Sequence, residues 1–512
     1  MSTPFATILE EYRPHLLGLV CACLGYWLCR QPRSQRMVHS RQIRHTLSPE
    51  PEHGRLVEIG LGEREYLRMG LDHNSALKIF LVASLQLEKK IDHNRLLERL
   101  GRSLEHLQRL HPLLRCRLVK LDDGQMVLEE DVDLKLQIHS YWDEDYKKVF
   151  ETVGERRVMP VGKNAESPHA CWLFCHSDNN NVEIALDLAH FAVDGSGLGP
   201  LMHEFLQAAF EFEPESEIKT LYAAWPQVQE IALQRTVDNS MSYWQSKLGL
   251  FKTFCLPIYL LITGDYNVLP RDDSAPYSQL SVRFRTLCLA ECFTVEETKA
   301  LLQCCRDNKV SVTAAVAAAM TEECGRRVDR NRAFSVPVVF VADSRGLCDT
   351  PVPPASDLTP HVLALPAYFT PPKIWKSLPV DSVKQTWAEA QRMRQFLTET
   401  TANTVFCRFY ALLVSFFLQQ QPTNVGVPAI NVSSWSAKSP VKHVYGDKVR
   451  VERVELLQNM SASSWLNLSM YTMVDRLTVS LFVPVPRYDE VLVREIFSTA
   501  ITRIRMLLEK GE

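Results

Sequence analysis

Segments with the period of β-strands and segments with the period of α-helices follow one another along this chain in no fixed order. Leucines recur at helical spacing in 95–110, whereas apolar and polar residues alternate in 113–121 and 125–130, on either side of an Asp-Asp-Gly turn. This irregular mixture excludes a regular barrel of alternating strands and helices, and it excludes a repeat array. The pattern predicts an α/β fold with α+β mixed sheets.

The length of 512 residues predicts two lobes, because a single hydrophobic core rarely grows that large. We expect an N-terminal hydrophobic segment and linker over 1–54, an N-terminal lobe over 55–265 and a C-terminal lobe over 280–512. The polar, proline-containing stretch 263–279 has the composition of a crossing between the two lobes.

The charge balance and the cysteine pattern indicate one class of partner to exclude and the compartment to expect. The 57 basic and 60 acidic residues leave a net charge of -3, so no nucleic acid partner is expected. The 14 cysteines include no C-x-x-C pair, and several lie in apolar runs, which is typical of reduced thiols in an intracellular protein. The sequence has no zinc-binding spacing, phosphate-binding loop or dinucleotide-binding glycine pattern.

The N-terminal segment raises the question of membrane attachment. Residues 16–29 are uncharged and largely apolar, but the run is shorter than the about 20 residues that span a bilayer. Basic residues follow it in the linker 30–54, an order that is wrong for a secretory signal and favours a cytosolic body. Three interpretations stay open: a short anchor or interfacial helix, which the charge order favours, a helix packed on the protein itself, or a cleaved signal.

The stretch ALDLAHFAVDGSGLGP, residues 185–200, places a histidine at the end of a predicted strand. The alternating apolar residues of 182–188 share one face, and His190 continues that face where the strand ends. A neutral imidazole held there can act as a general base, and a structural histidine in the core is the alternative interpretation. Asp194 would hold the next loop by pairing with an arginine, because a buried carboxylate needs a charged partner. Gly195 allows a sharp turn or a close approach of the backbone to a ligand.

The letters HFAVDG at 190–195 resemble the H-x-x-x-D-G active-site motif of the CoA-dependent acyltransferase superfamily. This superfamily includes chloramphenicol acetyltransferase, alcohol acetyltransferases, BAHD acyltransferases and peptide-synthetase condensation domains. Further stretches are similar to family segments in the same order: HPLLRCRL (111–118), LYAAW (221–225), SYWQSKL (242–248), DNKVSVTAAVAAAM (307–320), VADSRG (341–346) and PAINVSSWSAKSPVKHVYGDK (428–448). Together they cover roughly residues 60–510.

The resemblance implies two chloramphenicol-acetyltransferase-like lobes that enclose a central tunnel. It implies that His190 is the general base, that no covalent acyl-enzyme forms, and that acyl-CoA is a co-substrate without any metal or redox cofactor. His190, Asp194 and Gly195 are the predicted catalytic motif. In the family the motif aspartate pairs with an arginine, for which Arg345 is the first candidate and Arg115 the second; a surface arginine is the alternative for each.

The sequence departs from the family pattern at two places. Ala189 stands where condensation domains usually have a second histidine, which favours a free-standing enzyme that acylates an acceptor. The second motif is degenerate, and VYGDK (444–448) stands near its place. The candidates for stabilising the oxyanion or lining the tunnel in this region are Asn431, Ser433 and Ser434. A strand that simply buries a tryptophan is the alternative.

These features together favour an O-acyltransferase that moves an acyl group from acyl-CoA to a small, lipophilic alcohol. We expect a monomer at the cytosolic face of a membrane, such as the endoplasmic reticulum or a lipid droplet, attached through 16–29, or a cytoplasmic protein. An amine acceptor, a carrier-protein-bound donor and a catalytically inactive membrane-attached binding protein are the alternatives. Acyl length and acceptor identity depend on the volume of the tunnel, which the sequence does not define.

Overall fold

The structure is a computed structural model, and it describes most of the globular body. The described residues are 47–60, 63–64, 66–67, 77–89, 91–154, 159–177, 180–212, 222–226, 269–270, 285–328, 336–348, 356–365, 368, 383–402, 430–435, 440–446, 448–460, 466–485 and 487–509. The predictions for 16–29, for 242–248 and for nearly all of the crossing 263–279 concern residues outside this description.

Fifteen strands and seven α-helices occur among the described residues. The strands are β1 Leu56–Glu58, β2 Lys78–Leu87, β3 Cys116–Lys120, β4 Met126–Glu130, β5 Gln137–Trp142, β6 Ala170–Cys175, β7 Asn181–Ala189, β8 Arg285–Cys292, β9 Val338–Asp343, β10 Val362–Ala364, β11 Ile430–Trp435, β12 Val444–Tyr445, β13 Val449–Gln458, β14 Leu466–Met473 and β15 Arg476–Val485. The helices are α1 His93–Leu110, α2 Tyr146–Val149, α3 Gly195–Phe210, α4 Val295–Asp307, α5 Val312–Arg326, α6 Val383–Ala402 and α7 Glu490–Glu509.

The strands form two large mixed sheets and one small sheet. The first sheet has the order β12-β13-β2-β7-β6-β5, the second has the order β10-β9-β11-β14-β15-β8, and the small sheet is β1-β4-β3. Parallel pairs occur at β5–β6 in the first sheet and on both sides of β11 in the second. The predicted α/β class with mixed sheets is therefore confirmed.

The first sheet is not built from the N-terminal half of the chain alone. Strand β13 comes from the C-terminal half and pairs antiparallel with β2, from Val449 opposite Leu87 to Gln458 opposite Ile79. The predicted C-terminal lobe, 280–512, therefore supplies two strands, β12 and β13, to the first sheet. Periodicity identifies a strand but carries no information about which sheet edge the strand will join.

A core lies between one face of the first sheet and the helices α1 and α3. The side chains of β7 that point into it are Val182, Ile184, Leu186 and Leu188. The side chains of α1 that meet them are Leu96, Leu100, Leu104 and Leu107. Both sets match the predicted periods, two residues along the strand and three or four along the helix.

The second sheet has a core of its own on one face and meets the first core with the other. Ile430 and Val432 of β11 face the second core, together with the alanine-rich helix α5. Trp435, at the end of β11, belongs instead to the first core and stacks on Tyr471 of β14 with ring centroids 4.6 Å apart. The Tyr471 hydroxyl accepts a hydrogen bond of 2.7 Å from the Leu456 N–H on β13. The ends of β11 and β14 thereby pack against the sheet that carries His190.

No helix in the described parts of the chain combines the length and apolar character needed to cross a bilayer.

Candidate active site

His190 lies directly after β7, as the first residue of a short 3-10 turn, His190–Ala192. Its backbone N–H donates a hydrogen bond of 2.8 Å to the carbonyl of Leu77, which continues the ladder between β2 and β7 by one residue. The residue is half-buried, so part of its surface stays accessible to solvent. The strand therefore fixes the backbone of His190 while its side chain lies at the edge of the sheet.

The aromatic ring of Tyr66 stacks on the His190 imidazole. The two ring centroids are 4.1 Å apart and the planes differ by 11°. Sequence reasoning missed this contact, because Tyr66 lies far upstream in a segment with no pattern of its own. A ring stacked face to face restricts rotation of the imidazole and keeps water from that side.

Burial lowers the pKa of His190 below its ordinary value of 6.5. Backbone groups of His190 and Val193 and the charge of Asp194 act in the opposite direction and offset the shift only in part. The imidazole is therefore neutral at physiological pH, which is the protonation state that a general base requires.

The Asp194 carboxylate is buried, and both of its oxygens are engaged. Oδ2 accepts from Arg345 Nη1 at 2.7 Å and from the backbone N–H of His361 at 2.8 Å. Oδ1 accepts from the Gly197 N–H at 3.1 Å and so caps the N-terminus of α3. The helix starts at Gly195, four residues earlier than the start near 199 that the sequence predicts, because Asp194 supplies this cap.

Arg345 ties Asp194 to a loop of the second half of the chain. Its Nη2 donates to the carbonyls of Asp357 and Thr359, both at 3.1 Å, and its Nη1 also lies 3.3 Å from Asp343. Burial alone would lower the pKa of the guanidinium, but the Asp194 and Asp343 carboxylates raise it above its ordinary value. The arginine stays charged and holds the carboxylate and the loop together.

Of the two arginines named from the sequence, only Arg345 contacts Asp194. The guanidinium of Arg115, the second candidate, donates to Glu130 at 2.6 Å and lies over the ring of Tyr222. Arg115 therefore neutralises a different buried carboxylate, in the small sheet. The sequence positions of the two arginines could not show which one pairs with Asp194. That pairing depends on which loop of the second half of the chain packs against Asp194.

Gly195 faces the indole of Trp435. A Cβ atom at this position would lie 2.8 Å from two ring carbons of Trp435, closer than such atoms pack. The predicted reasons for this glycine were a sharp turn or a close approach to a ligand. The structure shows a close approach between α3 and the end of β11 instead.

The three polar candidates on β11 do not share one face. Asn431 and Ser433 alternate with the core residues and share the face of Trp435, whereas Ser434 points to the opposite side and is exposed. The Asn431 amide already donates to Asn467 at 3.3 Å. Among the described residues, Ser433 is therefore the β11 candidate that shares the face of Trp435 without a side-chain hydrogen bond to a neighbour.

The sequence analysis also missed a second buried carboxylate, that of Glu63, in the segment that carries Tyr66. The carboxylate of Glu63 is buried and accepts from the Thr359 hydroxyl and from the Gly60 N–H, each at 2.8 Å. Glu63 lies three residues before Tyr66 in the chain, and Thr359 lies in the loop that Arg345 holds. The stacked tyrosine and the Asp194–Arg345 pair are therefore parts of one connected structure around His190.

One group of metal-capable side chains occurs within the described residues, formed by His53, Asp131 and Asp133. The Asp131 carboxylate already pairs with Arg117 and with His53. Neither His190 nor Asp194 belongs to the group, so it contributes nothing to the candidate site.

No protein-family model matches the sequence, and no curated protein matches it. Solved structures do match. The TRI3 trichothecene 15-O-acetyltransferase from Fusarium sporotrichioides has a TM-score of 0.69 and 11% identity, covering 90% of this chain and 99% of that chain. Polyketide synthase associated protein 5 from Mycobacterium tuberculosis has a TM-score of 0.60 and 16% identity, covering 88% and 96%. The EpoB cyclization-docking bidomain from Sorangium cellulosum has a TM-score of 0.60 and 14% identity, covering 100% and 92%.

At these identities the likeness shows the fold. The chain has the two-lobed fold with mixed sheets of these solved acetyltransferase and cyclization-domain structures, as the sequence predicts. Within that fold, His190 stands at the end of a central strand with Asp194 and Arg345 paired behind it.

Proposed function

We propose that this chain is an acyltransferase that moves an acyl group from acyl-CoA to the hydroxyl of a small alcohol. The observation that carries the proposal is His190 itself: a half-buried, stacked imidazole at a strand end, whose pKa burial lowers. A base for acyl transfer must be neutral, oriented and reachable by the acceptor, and the lowered pKa, the stacked ring and the half-buried position of His190 support these three requirements.

The proposed reaction proceeds without a covalent enzyme intermediate. Neutral His190 takes the proton from the acceptor hydroxyl while the oxygen attacks the thioester carbonyl, which gives a tetrahedral oxyanion and an imidazolium. Collapse of the oxyanion breaks the carbon–sulfur bond, and the departing CoA thiolate takes the proton from the imidazolium. The products are an ester and free CoA, and the imidazole returns to its neutral form. The Ser433 hydroxyl is our candidate donor to the oxyanion.

Asp194 has a structural part in this proposal. Both of its oxygens are used by Arg345, by the N-terminus of α3 and by the loop at His361. These hydrogen bonds connect the carboxylate to three separate parts of the chain. We infer that Asp194 and Arg345 keep the turn after His190 in place.

The acceptor is expected to be lipophilic if 16–29 attaches the chain to a membrane, since such alcohols concentrate in a bilayer. Attachment through 16–29, a cytosolic orientation of the body and a monomeric state are parts of the same proposal. A carrier-protein-bound donor and an amine acceptor are the alternatives within acyl transfer.

The first experiment measures thiol release from acetyl-, medium- and long-chain acyl-CoA with a panel of hydrophobic alcohols and amines. We expect turnover with one donor and acceptor class, and a loss of at least about a hundredfold in His190→Ala. The matched control is His443→Ala, which removes an exposed histidine that lies within hydrogen-bond distance of Asp475. This variant should keep full turnover. Equal turnover in wild type and His190→Ala would contradict the proposed base.

A second arm separates the alternatives. Wild-type protein that binds acyl-CoA but releases no thiol with any acceptor would support an inactive binding protein. Turnover only with an acyl group on a carrier protein would replace acyl-CoA as the donor.

A further inference from the structure

His169 lies immediately before β6 and has no part in the reaction proposed above. Its side chain is fully buried. Its Nδ1 accepts a hydrogen bond of 3.2 Å from the backbone N–H of Ala189, and its ring lies 6.0 Å from the ring of Phe191. Ala189 and Phe191 are the two chain neighbours of His190. His169 therefore contacts the chain on both sides of the proposed base.

The geometry of the sheet explains why a side chain is needed at this point. The His190 N–H donates to Leu77 on β2, so the preceding N–H, that of Ala189, points away from β2 and toward β6. Strand β6 begins only at Ala170, which pairs with Asp187. The ladder between β6 and β7 thus ends two residues before Ala189. Because β6 does not extend far enough to offer a backbone carbonyl to the Ala189 N–H, the imidazole of His169 supplies the hydrogen-bond acceptor instead.

This hydrogen bond defines the protonation of His169. A ring nitrogen that accepts from an N–H carries no proton, so the neutral tautomer with its proton on Nε2 is required. The backbone N–H of His169 in turn donates to the Ser167 hydroxyl at 3.1 Å, which holds the residue in this position. Two ring contacts and one backbone contact together locate the imidazole against the end of β7.

We propose that His169 is a positioning residue that holds the end of β7 and thereby the backbone of His190. The proposal rests on the function proposed for His190, since positioning matters to the rate only if that imidazole reacts. A displacement of the base by about 1 Å is enough to reduce the rate of a proton transfer strongly. Loss of the acceptor at Nδ1 should therefore act on kcat and leave substrate binding largely unchanged.

The test compares His169→Asn with His169→Leu in the full chain. The two side chains are close in size, but only asparagine offers an oxygen near the position of Nδ1. We expect His169→Leu to lower kcat by about tenfold or more with KM within about threefold, and His169→Asn to keep kcat within about threefold of wild type. Wild-type kcat in folded His169→Leu, or equal losses in both variants, would overturn the proposal.

Amide hydrogen exchange tests the role of His169 without enzymatic turnover. It can therefore support or contradict that role even if the acyl-transfer proposal is wrong. Amide exchange at Ala189 should be at least about tenfold faster in His169→Leu than in wild type and His169→Asn. That result supports the positioning contact even if no acyl transfer is found, whereas equal exchange in all three proteins overturns it. Should His169→Leu fail to fold, His169→Phe keeps a ring without an acceptor and replaces it in both measurements.

Discussion

At the scale of single residues, the base chemistry proposed for His190 depends on the groups that surround its imidazole. The ring of Tyr66 covers one face of the imidazole, and burial lowers its pKa. The same side chain on an open surface would be partly protonated near neutral pH, because its ordinary pKa is 6.5. In the proposed reaction, the stacked tyrosine would therefore help to keep the His190 base neutral.

A pH profile tests this environment. Because the pKa of His190 is lowered, the base stays neutral as the pH falls, and kcat/KM should keep its plateau below pH 6.5 before it declines. Tyr66→Ala admits water to the imidazole, so the acid limb should move up toward 6.5, while Tyr66→Phe should keep it near the wild-type position. An acid limb that is the same in all three proteins would contradict the shielding by Tyr66.

Gly195 gives a second prediction at this scale. Gly195→Ala places a Cβ against the indole of Trp435 and should lower the free energy of unfolding by about 1–3 kcal/mol. In a Trp435→Ala background the same substitution should cost about 0.5 kcal/mol or less, since alanine lacks both of the ring carbons that lie 2.8 Å from the added Cβ. Urea unfolding of the four proteins of this cycle measures the difference. Additive effects would show that the glycine is needed for another reason.

At the scale of elements, one buried ion pair joins the start of α3 to the loop 356–361. Asp194 caps the helix with one oxygen and pairs with Arg345 through the other, and Arg345 also holds the carbonyls of the loop. Charge and cap are therefore separable functions of one carboxylate. Substitutions that remove only the charge of Asp194 should therefore show how much the ion pair contributes to the free energy of unfolding.

Asp194→Asn keeps an oxygen for the cap but leaves the Arg345 guanidinium without its main counter-charge. We expect a loss of about 3–5 kcal/mol in the free energy of unfolding, the usual cost of leaving a buried charge unpaired. Adding Arg345→Met removes that charge and should restore part of the loss. Chemical denaturation of both variants measures this, and a double variant less stable than Asp194→Asn would contradict it.

At the scale of the whole molecule, strand β13 links the two halves of the chain. Ten residues of the C-terminal half, Val449–Gln458, complete the first sheet beside β2. Without the C-terminal half, β2 would have no strand partner on one side of the sheet that carries His190. Folding of the two lobes should be coupled for this reason.

Fragment expression tests that coupling. Residues 1–265 alone should show no cooperative thermal transition, because β2 would expose an unpaired and apolar edge. Co-expression with residues 280–512 should yield a copurifying pair, and the full chain should unfold in one calorimetric transition. A cooperative transition in the 1–265 fragment alone would show that the first sheet does not need β13.

The sequence by itself determined what depends on neighbours along the chain. Alternation over 182–188 predicted strand β7 and its buried face, and the spacing of leucines predicted α1. The motif letters at 190–195 identified His190 and Asp194 as the residues to examine. These features follow from backbone periods and from short stretches, so one sequence suffices to find them.

Only the tertiary structure decided which distant groups meet. Arg345 rather than Arg115 contacts Asp194, Tyr66 stacks on His190, and β13 joins the first sheet. Each of these contacts joins residues that are far apart in the chain, and no local period or spacing encodes such a pairing. The physical reason is that a buried charge or a sheet edge accepts any partner of the right chemistry, and the packing of the whole chain selects which one arrives.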